Sequence, residues 1–157
     1  MPAADEEICW GDELLIAPFD LQQKPDKHTA SFAQKIVLVD DNPVIRRLYT
    51  RLFQKAGYRI VTASNGKDGL RLIMAEKPNA AVIDFHLPDI TGIQVCEKIR
   101  QYQEMKGIKL FLFTGDDEEQ TREKALNIGV DNVVVKSPNA AEIVDSVSRS
   151  LEKYKNL

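Results

Sequence analysis

Lys35-Ile36-Val37-Leu38-Val39-Asp40-Asp41-Asn42-Pro43 decides how this chain is read. The apolar run Ile36 to Val39 is too short for a helix, and it is continuous rather than alternating, as in a strand covered on both faces. Two adjacent acids stop the run. Asn42-Pro43 then has the form of a helix start, with proline at the first helical position. The stripe Ile45, Leu48, Leu52 and Phe53 follows at helical spacing. Strand, acidic end and helix thus follow one another in order.

The same unit recurs down the chain. Short apolar runs return at Arg59 to Thr62, Ala80 to Ile83, Leu110 to Phe113 and Val133 to Val135. Between and after them come stripes of helical period: Leu70, Ile73 and Met74; Ile93, Val95, Cys96 and Ile99; Ala125, Leu126 and Ile128; Ile143, Val147 and Leu151. Asp116 with Glu119 three residues on marks a further helix start, and Gly57 and Gly129 suit helix ends. Five strands strictly alternating with five helices predict an α/β fold. It is a doubly wound, five-stranded parallel sheet with right-handed crossovers and helices on both faces.

Upstream of Lys35 the composition changes. Residues 1–34 hold seven acids and two bases, against seventeen and nineteen in residues 35–157. Pro2, Pro18 and Pro25 interrupt any period, and Gln22 to Thr29 reads as a polar linker. Ile8, Trp10, Leu14, Leu15, Ile16 and Phe19 lie among the acids. Residues 1–34 are therefore expected to be a poorly ordered extension and linker, with docking onto this domain or a partner as the alternative. At 157 residues the chain has room for one full domain with a modest extension, since domains run to ~100–200 residues. Hydrophobic residues at 43% and charged ones at 29% suit a globular domain with a substantial core.

A net charge of −3 argues against a function built on neutralising nucleic-acid phosphates or anionic lipid. Cys9 and Cys96 are too few and too far apart for a disulfide or zinc framework, which suits a reducing compartment. No apolar stretch approaches the ~20 residues of a membrane span, and the acidic start has no signal-peptide form. A cytoplasmic location is expected.

In a doubly wound sheet the ligand site lies beyond the carboxyl ends of the strands, at the topological switch point. The first strand ends in Asp40-Asp41, the third in Asp84, the fourth in Thr114 and the fifth in Lys136. Converging carboxylates repel, so either one holds a proton or a cation lies among them. An all-oxygen acidic set suits Mg2+ or Mn2+ rather than zinc. Lys136 and Thr114 add a positive charge and a hydroxyl for something anionic beside the metal. These are the parts needed to move a phosphoryl group onto a strand-end carboxylate, with Asp84 as the nucleophile. Taken singly, each residue has a plainer reading, an acid capping the next helix or a solvated lysine; in this order together they do not.

With these residues in place, Lys35 to Leu157 resembles a response-regulator receiver domain of two-component signalling. The motifs that carry the likeness are Val39 to Pro43, Asp84-Phe85-His86-Leu87-Pro88-Asp89-Ile90-Thr91-Gly92, Thr114-Gly115, and Lys136 after Val133-Val134-Val135. The resemblance implies a flavodoxin-like strand order 2-1-3-4-5 and phosphorylation of Asp84 from a phosphohistidine. It also implies Mg2+ held by Asp41, Asp84 and the His86 carbonyl, with Asp40 acting mostly through metal-bound water. Thr114 and Lys136 would bind phosphoryl oxygens, and Gly115 would leave the path to Asp84 open. The implied partners are a sensor histidine kinase or histidine phosphotransfer protein and a downstream protein target. The receiver itself would be a monomer or a phosphorylation-dependent dimer. No DNA-binding module follows it, so direct nucleic-acid contact is not expected.

Two positions depart from the family pattern. Val133 stands where an aromatic residue usually precedes the lysine by three, which puts the usual aromatic relay in doubt. Ser137 separates Lys136 from Pro138, and the pair reads as a cap and first position of the last helix. His86 and Asp116 occupy positions that flank the site and tune hydrolysis in the family. Arg46, Arg47 and Arg51 lie off the stripe of the first helix, on a solvated face or on a surface for the phosphoryl donor. Two other readings compete: a receiver-like scaffold without signalling chemistry, and a Mg-dependent aspartyl phosphatase of the haloacid-dehalogenase type. The spacing disfavours the phosphatase, whose nucleophile sits on the first strand with a second Asp two residues on.

Overall fold

The computed structural model describes residues 33–115, 119–136 and 139–155. Along them run β1 (Lys35–Val39), α1 (Pro43–Lys55), β2 (Arg59–Ala63), α2 (Gly66–Glu76), β3 (Ala80–Asp84), α3 (Gly92–Arg100), β4 (Lys109–Thr114), α4 (Glu119–Asn127), β5 (Asn132–Val135) and α5 (Ala141–Lys155). A 3-10 turn, Gln103–Met105, precedes β4. Every strand pair is parallel and the order is β2-β1-β3-β4-β5. The expected fold and strand order are present. Four of the strands exceed their apolar runs because polar flanking residues stay in the ladder, as where Asp84 pairs with Phe113 and Thr114 with Val135, and β2 gains Ala63. Of the expected extension at residues 1–34, only Ala33 and Gln34 fall among the described residues. Asp116, Ser137, Pro138 and Leu157 also lie outside them.

Alternate residues of each strand feed two cores. Ile36, Leu38, Val82, Phe111 and Phe113 face one layer with Tyr49 and Phe53 of α1 and Ile143, Val147 and Leu151 of α5. Val37, Val39, Ala81, Ile83, Leu110 and Leu112 face the other, with Ile73, the buried side of α3, and Ala125. Burying a side chain such as Phe53 fully is worth about 1.5–3 kcal/mol. β2 lies at the sheet edge and is only partly covered, so continuous burial holds for the inner strands alone.

Two helical stripes need correction. On α1, Tyr49 and Phe53 are the buried pair and Leu48 is 42% exposed. The apolar positions span a wide arc, and the helix turns the edge that packs Tyr49 against Phe113, ring centroids 5.4 Å apart. On α4, Ala125 is buried and Leu126 is exposed, because the small side chain lets the helix approach β5. Helix ends follow local chemistry. Asn42 Oδ1 accepts from the amides of Val44 and Ile45, a cap worth about 1 kcal/mol. Gly57 and Gly129 adopt φ of 97° and 101°, the region that favours glycine. No described helix is long and apolar enough to cross a membrane.

Candidate functional site

β1 and β3 are neighbours whose next strands lie on opposite sides, β2 beyond β1 and β4 beyond β3. That switch point brings Asp40 and Asp84 side by side. Asp84, the last residue of β3, and Asp40, just past β1, are both buried, whereas Asp41 is exposed. One carboxylate oxygen from each of Asp40, Asp41 and Asp84 lies within 4.8 Å of the others. The acids expected at the ends of the first and third strands therefore converge.

Asp40 is fixed from several sides. Its amide donates to the Ala63 carbonyl at 3.1 Å, and its carbonyl accepts from the Arg46 guanidinium at 2.8 Å. Oδ1 accepts from the Asn42 amide at 2.9 Å. Oδ2 is buried and has no hydrogen-bond partner. Lys136 Nζ stands 3.5 Å from that oxygen and 3.2 Å from Asp84 Oδ1. The lysine reaches it because its amide donates to the Thr114 carbonyl at 2.7 Å, continuing the β4–β5 ladder. Its ammonium also lies 4.9 Å from the centre of the Phe113 ring. Thr114 is buried at the end of β4.

Burial, and then the Asp40 carboxylate, push the Asp84 carboxyl above its ordinary range. Lys136 and the His86 amide act against them. The same causes in the same order, burial and then Asp40, raise the Tyr49 hydroxyl. His86 is exposed, with its ring tilted on Phe85 at 4.8 Å and its amide 3.4 Å from Asp84 Oδ1. Gly115 is exposed, and nothing stands within 4 Å of where a Cβ would be. Val133 is buried against the α4 side of the sheet. Cys96 is buried with its thiol pushed up to about 12, chiefly by desolvation, as a small hydrophobe would be.

Sequence reasoning missed several contributors. Arg46, read as solvated or partner-facing, is half-buried and anchors the Asp40 backbone. Tyr49 lay outside the stripe read for the first helix, and Phe113 read only as the end of an apolar run. Gly92 must be glycine, because a Cβ there would collide with the Asp84 carbonyl oxygen as α3 starts beneath it. Asp89 is also engaged, accepting from the amides of Gly66 and Lys67 at 2.8 Å each. The signal available for Gly92 and Asp89 was their place in the run that follows Asp84.

The family model of the response regulator receiver domain matches residues 36–148. The chain is 32% identical over 120 residues to the alkaline phosphatase synthesis transcriptional regulatory protein PhoP of Bacillus subtilis (strain 168). That alignment covers 76% of this chain and 49% of PhoP, so the chain spans about half the length of this relative. Among solved structures, a LuxR-family two-component response regulator of Aurantimonas sp. SI85-9A1 is 31% identical, with a TM-score of 0.71 over 77% of this chain and 86% of that one. A CheY-like receiver domain protein of Methanospirillum hungatei JF-1 is 26% identical, with a TM-score of 0.73 over 79% and 98%. The response regulator TrrA of Thermotoga maritima, solved in complex with Mg2+-BeF, is 31% identical, with a TM-score of 0.67 over 74% and 97%. With its strand-end acids at the switch point of a 2-1-3-4-5 sheet and the family's model matched across most of its length, the chain belongs to the response regulator receiver domains of two-component systems.

Proposed function

We propose that Asp84 accepts a phosphoryl group from a phosphohistidine beside a bound divalent cation, and that the modified domain switches protein contacts. One Asp84 oxygen forms the new P–O bond as the P–N bond to the donor imidazole breaks. The imidazole keeps that electron pair and takes up a proton. Lys136, beside Asp84, carries positive charge toward the phosphoryl oxygens, and the Thr114 hydroxyl donates to one of them. A receiver does this once per signal and is not read as a turnover enzyme.

The residues suit a cation. Asp40 Oδ2 is a buried carboxylate oxygen without a hydrogen bond, faced by the Lys136 ammonium at 3.5 Å, which Asp84 shares; one lysine among three carboxylates leaves negative charge for a cation to offset. An all-carboxylate set with one exposed member suits a hard, partly hydrated ion, Mg2+ or Mn2+. Asp41, Asp84 and the His86 carbonyl would hold it, with Asp40 acting through water. When bound, the ion supplies positive charge that offsets the carboxylates and the phosphoryl oxygens. The neighbour from Thermotoga maritima, solved with Mg2+-BeF, supports this reading.

The donor is a sensor histidine kinase or histidine phosphotransfer protein. Its docking surface is α1, where Val44 at 63% and Leu48 at 42% exposure stand one turn apart beside the exposed Arg47 and Arg51. Apolar contacts rimmed by arginine suit an acidic-rimmed helical partner. A cytoplasmic location and a downstream protein target, reached as a monomer or a phosphorylation-dependent dimer, belong to the same reading. Residues 1–34 are an N-terminal extension and linker in the same reading.

The single observation that carries the proposal is the Lys136 ammonium set between Asp84 and the buried Asp40 oxygen. Intact-mass measurement after incubation with acetyl phosphate and Mg2+ tests it. A stable adduct of one phosphoryl group is expected. Continuous turnover of acetyl phosphate would favour the phosphatase, and no reaction would favour the scaffold.

A further inference from the structure

We infer that Asp89 is a positioning residue for phosphorylation, fastening the loop after Asp84 to the first turn of α2. The inference rests on the reading of Asp84 as a phosphoacceptor beside a divalent cation. An exposed aspartate in a loop is ordinarily just solvated, but both carboxylate oxygens of Asp89 are engaged. Oδ1 accepts from the Gly66 amide and Oδ2 from the Lys67 amide, each at 2.8 Å. The first amides of a helix have no partner within it. The side chain of Asn65, which caps α2 on its own chain segment, accepts only from the Asp68 amide. Asp89 thus completes the cap from another loop, and the link pulls in both directions.

The steric fit agrees. Ile90 packs against the core and lies where a Cβ on Gly66 would collide with its Cγ1. The other end of the loop is closed as well. The Phe85 amide donates to the Phe113 carbonyl at 2.8 Å, and the Gly92 amide to the Phe85 carbonyl at 2.9 Å. Between these anchors lies His86, whose amide stands 3.4 Å from Asp84 Oδ1 and whose carbonyl belongs to the proposed metal set. If the tip at Asp89 is released, the His86 peptide is held from one side only. Desolvation, the largest single cause, works against ionisation of Asp89, but the amides of Lys67, Gly66, Ile90 and Asp89 itself together outweigh it and hold the carboxyl below its ordinary range. The tether is therefore a charged cap near neutral pH.

The test compares the full chain with Asp89→Ala, Asp89→Asn and Gly66→Ala. Mg2+ affinity is measured by calorimetry, and acetyl phosphate labelling is measured across a Mg2+ series. Outer residues that orient metal ligands change affinity by about 10–100-fold, and for Asp89→Ala a loss at the lower end, on the order of tenfold, is expected. The labelling rate at saturating Mg2+ should stay near that of the wild type. Asp89→Asn keeps one acceptor and should recover part of the loss. Gly66→Ala keeps the Asp89 carboxylate but displaces Ile90 and crowds Asp89 Oδ1, which a Cβ would approach to 3.1 Å, and should reproduce the defect. Unchanged Mg2+ affinity in Asp89→Ala would overturn the inference, as would a lowered maximal rate with unchanged Mg2+ dependence, which is the mark of a purely structural cap. A wild-type chain that binds Mg2+ but is never labelled would instead sink the phosphoacceptor reading, and calorimetry would still decide the role of Asp89 in metal binding.

Discussion

Asp84 stands in an environment that resists its charge. Burial and the Asp40 carboxylate raise its folded pKa, so the fold favours the protonated form. The sign follows from linkage: a raised folded pKa lends stability below the unfolded value, and that stability is lost as pH rises through the folded one. At neutral pH and with EDTA present, so that no cation offsets it, the Asp84 carboxylate is therefore a net cost. Asp84→Asn should stabilise the domain at pH 7 by roughly 1 kcal/mol, the size of a typical single substitution, and the gain should shrink in acid. Urea denaturation at the two pH values measures it. Phe113→Leu should act in the opposite sense. It removes the face under Lys136 and the edge contact with Tyr49, for a loss of about 1–2 kcal/mol in the same denaturation experiment. Asp40, Asp41, Asp84, Thr114 and Lys136 were legible because a polar side chain ending an apolar run stands out against it. Phe113 was not, since its contact with Lys136 exists only once β4 and β5 are in register. Asp89 was hidden for a similar reason, its partners lying on an element distant in sequence.

At the scale of the element, α1 has two unlike sides. Tyr49 and Phe53 attach it to the sheet, and Val44 and Leu48 face outward. Periodicity identified the helix and its capped start but not its rotation, because apolar residues at 45, 48, 49, 52 and 53 suit more than one packing edge. Leu48→Asp should leave labelling by acetyl phosphate unchanged while slowing transfer from a phosphohistidine donor protein by about tenfold, as for loss of an interface contact worth ~1.4 kcal/mol. Rapid-quench transfer assays measure the difference. β5 bears on how the signal leaves the site. Val133, buried against the α4 side, cannot turn inward as a ring would. On binding beryllofluoride, amide shifts should be large at Thr114, Gly115 and Glu119 and small at Val133 and along α5. Equal shifts in both groups would mean that the outer face is coupled by another route.

The whole molecule explains why scattered residues form one site. In a 2-1-3-4-5 parallel sheet, the carboxyl ends of β1, β3, β4 and β5 open on one side, and residues 40, 84, 114 and 136 gather there without any local sequence proximity. The alternation of strand and helix was readable because each period is short and strong. The exposed side of β2 was not, since an edge strand and an inner strand carry similar apolar runs. In the proposed function this assembly directs a phosphoryl group to one carboxylate in a cation-dependent way. The most direct measurement is tandem mass spectrometry of a proteolytic digest after acetyl phosphate treatment, with Mg2+ or with EDTA. A phosphoryl group on Asp84 alone, formed with Mg2+ and absent with EDTA, is expected. Modification at another residue, or equal labelling of Asp84 without the metal, would contradict it.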